Sequence, residues 1–174
     1  MWVTQTYLAM VEPDAKVFIY YLFEEYNDQN EFTRKIQTHL ERMGEVHGGD
    51  VSLFMPNPKY ADRVEAEMRE IRPLWELIYP ALPALLVSTA PMRDLDGNTD
   101  KCICIPFSGE SASDVAKTIE KVRKLTYETV CAKHREISAP DKKGYWNRIG
   151  DAVELKPGLF GIRLDLRKLP WKKA

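Results

Sequence analysis

The chain has 174 residues, 44% hydrophobic and 29% charged, which suits one folded domain with a real core and argues against a disordered chain. Its longest apolar runs, such as Val17–Phe23, are far too short to cross a bilayer. Three cysteines do not make a disulfide framework, and Met1-Trp2-Val3-Thr4 lacks the basic and apolar regions of a signal peptide, so a cytoplasmic protein is expected.

The net charge of −1 hides an asymmetry. Residues 1–131 hold 14 Lys and Arg against 21 Asp and Glu, a net of −7, whereas residues 132–174 hold 11 against 5, a net of +6. A basic tail on an acidic body fits an anionic partner, or a tail that docks on its own body, and the second is favoured.

In chain order, Trp2–Val11 is rich in Thr, Tyr and Val and reads as a strand. Glu12-Pro13-Asp14-Ala15 has turn chemistry. The run VFIYYLF at Val17–Phe23 has the pattern of a central strand covered on both faces. Asp28 or Asn30 then offers a helix N-cap, Phe32, Ile36, Leu40 and Met43 share one helical face, and Gly48-Gly49 ends that helix. Asp50–Met55 is a second strand. Asn57-Pro58 starts another helix, with Val64, Met68, Ile71, Trp75 and Ile78 on its buried side and a break near Arg72 imposed by Pro73.

Leu82-Pro83-Ala84-Leu85-Leu86-Val87-Ser88 is a short strand with a proline at its start, running to about Thr89. Asp94–Asp100 reads as a hairpin-type turn, with Lys101–Phe107 as the return strand. Ser111 or Ser113 caps a long helix that turns Val115, Ile119, Val122, Leu125 and Val130 inward. These elements define a domain over 1–137, followed by a linker over 138–150. The segment 151–174 reads as a β-hairpin and basic tail packed on the domain, with Phe160, Ile162, Leu164 and Leu166 facing in and the N-terminal strand Val3–Val11 as its partner.

From Val17 to about Val130 the order is βαβα, a proline-led strand, a hairpin return and a last helix. That order, with Leu82-Pro83-Ala84-Leu85-Leu86-Val87, resembles the thioredoxin-like fold superfamily. The resemblance implies an α/β fold with a thioredoxin-like three-layer core (βαβα-ββα), to which the chain adds an N-terminal strand and a C-terminal β-hairpin. It also implies a cis bond between Leu82 and Pro83. The extra N-terminal strand is expected at a sheet edge or against the C-terminal hairpin. Redox members of the superfamily carry Cys-x-x-Cys after the first strand. Here that segment is Glu24-Glu25-Tyr26-Asn27-Asp28-Gln29-Asn30, so dithiol–disulfide exchange, which needs an attacking thiolate and a resolving thiol, is not expected.

Candidate chemistry is sparse. Glu24 and Glu25 with Tyr26 lie at the expected carboxyl end of a central strand, where open α/β sheets often bind ligands, and paired carboxylates can divide acid and base roles. Asn27, Asp28 and Pro83 join them as binding candidates. An acidic first turn complementing a helix dipole explains the carboxylates more simply. Cys102 and Cys104 share one strand face and are candidate thiols, although buried cysteines acting as small hydrophobes explain them with less.

Asp94, Asp96, Asn98 and Asp100 alternate like calcium ligands, but the glycine and the closing glutamate of a calcium loop are out of place, so no metal is expected. His39, His47 and His134 have no nucleophile or carboxylate at a telling spacing. Arg167, Lys168, Trp171 and Lys172 mix cations with an aromatic, a composition that binds nucleic acid or anionic membrane surfaces. With no P-loop and no dinucleotide fingerprint, no cofactor is expected. The favoured expectation is a non-catalytic binding module whose partner is another protein. An enzyme using the carboxylates or thiols, and an anion-binding tail, are the alternatives.

Overall fold

The computed structural model describes residues 2–4, 11–12, 14–22, 31–57, 60–95, 102–107, 111–138 and 162–163. Their elements are β1 (Trp2–Thr4), β2 (Val17–Leu22), α1 (Glu31–His47), β3 (Val51–Phe54), α2 (Ala61–Glu70), α3 (Arg72–Ile78), β4 (Ala84–Ser88), β5 (Cys102–Pro106), α4 (Ala112–Ser138) and β6 (Ile162–Arg163). The fold is mixed α/β. One sheet runs in the order β1-β3-β2-β4-β5-β6.

β2 lies inside the sheet because every one of its residues is buried. It pairs in parallel with β3, Val17 opposite Val51, and antiparallel with β4, Leu22 opposite Ala84. A parallel neighbour requires a crossover, which α1 provides. β4 and β5 pair antiparallel from Ala84–Pro106 to Ser88–Cys102. At one edge β1 pairs in parallel with β3, and at the other β6 pairs antiparallel with β5, Cys104 opposite Ile162.

The helices form along the apolar stripes. Phe32, Ile36, Leu40 and Met43 of α1 are buried, and the helix ends where Gly48 takes a left-handed φ of 57°. α4 begins after Ser111, whose Oγ accepts the Asp114 N–H at 3.2 Å and whose hydroxyl donates to the Asp114 carboxylate. That hydroxyl holds the exposed Asp114 carboxyl below its ordinary range. Val115, Ile119, Val122 and Leu125 of α4 are buried, and Val130 packs against the core.

The second helical stretch is two helices. Ile71 leaves helical geometry (φ −88°, ψ 51°) and Pro73 stands in the first turn of α3, the position where its missing N–H costs least. The break also changes the phase. Val64 and Met68 of α2 are buried, but in α3 the buried residues are Leu74 and Ile78, whereas Ile71 and Trp75 are only partly covered. Trp75 thus packs against the core, as the periodicity expects, but is only partly covered.

Tyr20 and Tyr21 show how the two faces are filled, since neighbours on a strand point to opposite sides. Tyr21 reaches α1, its hydroxyl 3.4 Å from Thr33 Oγ1. Tyr20 packs its ring 5.9 Å from Phe54 and accepts the Met92 N–H at 2.8 Å. The turn that carries Met92 is tied to α2 by Arg93, 3.4 Å from Glu67 and 3.3 Å from Glu70. Thus α1 and α4 cover one face and α2 and α3 the other.

Two further expectations are corrected. The strand Ile162–Arg163 joins β5, not the N-terminal strand, because β1 covers the free edge of β3 at the far side of the sheet while β5 leaves its own outer edge open. The β4–β5 connection is longer than a tight turn: it leaves the sheet at Ser88, makes a 3-10 turn at Met92–Asp94, and buries Met92 and Leu95 before β5 begins at Cys102. α4 runs through Ser138, the first residue assigned to the linker. The rest of the linker, the rest of the 151–166 hairpin and residues 96–101 lie outside the described residues, as do Pro58, Asp28 and Asn30.

Candidate functional site

The end of the sheet that gathers the most usable groups is the one where β2 and β3 finish and β4 begins. Leu22, the last residue of β2, sits opposite Ala84, so the chain leaves the sheet directly beside the Leu82–Pro83 bond. That bond is cis, and both of its residues are partly exposed. The surrounding backbone is tied down: Leu82 N–H donates to the Tyr79 carbonyl at 3.3 Å, and Phe107 N–H donates to the Pro83 carbonyl at 3.1 Å. Phe107 in turn anchors the start of α1. Its ring meets Phe32 edge-on at 5.4 Å and Tyr21 edge-on at 6.2 Å.

On the α3 side of Pro83 lies an aromatic pair that periodicity does not reveal. The Trp75 and Tyr79 rings are 5.2 Å apart and tilted by 48°. Tyr79 is 48% exposed, one of three large hydrophobic side chains exposed among the described residues. An apolar body with a polar tip is the kind of side chain that anchors partner contacts. The only signal of it in the sequence is the four-residue spacing from Trp75, which equally fits a buried stripe.

Glu24, Glu25, Tyr26, Asn27 and Asp28 follow Leu22 in the chain and lie outside the described residues, as do Arg167, Lys168, Trp171 and Lys172. Of the sequence-derived candidates, Pro83, Cys102 and Cys104 are described. The structure does not bring Pro83 to the thiols: Cys102 faces Ser88 at the opposite end of β4, and Cys104 faces Leu86 in its middle.

Both thiols are buried. Burial, with the neighbouring Cys104 second, pushes Cys102 well above the usual thiol range, and burial pushes Cys104 up to about 12. A nucleophilic cysteine needs a stabilised thiolate, and these environments oppose one. As small hydrophobes they line the face shared with Tyr20, whose own phenol burial holds far above its ordinary range. Burial also raises Tyr21, to about 12, against the smaller lowering effect of its bond to Thr33.

The other end of the sheet carries an ion pair between Lys16 and Asp50, backed by Lys16 N–H donating to the Asp50 carbonyl at 2.8 Å. Near it stands His47, whose buried Nε2 has no hydrogen-bond partner. Burial lowers its pKa, and Arg123 of α4 lowers it further. His39 lies partly exposed on α1, and His134 is in the last turns of α4. Among the described residues no three His, Cys, Asp or Glu side chains gather as metal ligands, and no helix is long and apolar enough to cross a membrane.

No protein-family model, curated protein or solved structure matches the chain. A functional reading therefore stands on the geometry alone.

Proposed function

We propose that this chain is a divergent thioredoxin-like domain without the Cys-x-x-Cys motif, acting as a binding module in a larger protein assembly. The reading is carried by one arrangement: the proline-led strand β4, entered at Pro83 beside the end of the central strand β2, in a mixed sheet ordered β1-β3-β2-β4-β5-β6. In sequence, the segment after β2 carries carboxylates and amides where redox members of the superfamily carry Cys-x-x-Cys. Cys102 and Cys104 are buried, and burial raises both thiols, which supports binding over thiol chemistry at these two residues.

The partner surface in this reading is the Pro83 end of the sheet, with Tyr79 and Trp75 as its apolar anchors. Its partner in this reading is another protein, since an exposed tyrosine beside a tryptophan suits a protein contact.

The test is affinity capture from the native host with the full chain and with Tyr79→Ser, both checked for equal melting temperature. A protein recovered in stoichiometric amount with the wild type, and at least about tenfold less with the variant, supports the reading. Capture indifferent to Tyr79→Ser places the surface elsewhere. A co-purified small molecule in place of a protein revives the enzyme reading through Glu24 and Glu25. Salt-sensitive retention of nucleic acid or anionic lipid, lost with Arg167, Lys168 and Lys172, assigns the function to the tail.

A further inference from the structure

We draw no further inference here: the strongest candidate, the side-chain cluster of His47, Arg123 and Asp50 at the amino end of β2 and β3, rests on one unpartnered imidazole nitrogen, and nothing else among the described residues there points to a ligand.

Discussion

The two faces of the sheet are built by different means. One is covered by α1 and α4, of 17 and 27 residues, which lay continuous apolar stripes over the strands. The other is covered by α2 and α3, of 10 and 7 residues, with a break between them. The first face is held mainly by side-chain packing, with a long Tyr21–Thr33 contact beneath α1. The second adds polar ties: Tyr20 to Met92, and Arg93 to Glu67 and Glu70. A long helix brings its own backbone hydrogen bonds, whereas a short, interrupted one needs its turns pinned from outside.

Truncating each packed face separately is the strongest way to test this difference. Leu40 of α1 and Met68 of α2 are 0% and 1% exposed. Leu40→Ala should cost about 3–4 kcal/mol, because the long helix holds its place and leaves a cavity. Met68→Ala should cost about 2 kcal/mol, since a short helix beside a break can settle into the gap. Urea unfolding of both variants measures this. Equal losses would mean that helix length does not set how well a face can relax.

The adjacent tyrosines sharpen the same comparison at the level of one hydroxyl. Tyr20→Phe leaves the buried Met92 N–H without its acceptor and should cost about 1–3 kcal/mol. Tyr21→Phe removes a long contact to Thr33 and should cost less than about 1 kcal/mol. The order of the two urea midpoints decides the matter. Both phenols are raised in the folded state, Tyr21 to about 12. The unfolded chain therefore loses these protons first: their stabilisation is full below an ordinary phenol value of about 10 and fades as pH rises through the folded values. Each Phe variant should blunt the alkaline loss.

These contrasts also separate what the sequence discloses from what it does not. Phe32, Ile36, Leu40 and Met43, like Val115, Ile119, Val122 and Leu125, are legible because a period of 3.6 is a local property of the chain. So is the break at Ile71, because Pro73 cannot sit inside a helix. The partner of Ile162 is not legible, since an edge strand's choice depends on which edge β1 has already covered. Nor is the long β4–β5 connection: Asp96-Gly97 signals a tight turn, but buried Met92 and Leu95 extend it. For the candidate site, Pro83 stands out because a proline can only begin such a strand. Tyr79 is hidden because its exposure follows from the phase change at Ile71.

Thiol reactivity tests the second face without altering it. Cys102 and Cys104 are buried and Cys131 is partly exposed. A disulfide reagent at neutral pH should label Cys131 first and the other two only at the rate of opening, roughly 10³-fold slower for an opening free energy near 4 kcal/mol. All three should react together in urea. Insulin reduction with dithiothreitol should run at the rate of the protein-free control. Fast labelling of Cys102 or Cys104 in the native state would restore them as chemical candidates.

The smallest expected effect lies at the amino end of β2, where His47 closes α1. Burial first, and Arg123 second, lower its pKa in the folded protein, against the opposing pull of Asp50. The sign follows from linkage. The unfolded imidazole binds its proton first as pH falls, so the stabilisation is complete above the ordinary imidazole value of about 6.5 and is lost as pH drops below it toward the lower folded value. The effect is small because the side chain is partly exposed and solvent screens its contact with Arg123. Other groups titrate in the same range, so the informative quantity is a difference between proteins. Urea midpoints at pH 7.5 and 5.5 should fall further for the wild type than for His47→Gln, which keeps a polar side chain but cannot take up the proton. The gap should survive moderate salt, since desolvation is its main cause. If the two proteins respond to pH alike, His47 is solvated in the folded state and adds nothing to what the Lys16–Asp50 pair contributes at the amino end of the sheet.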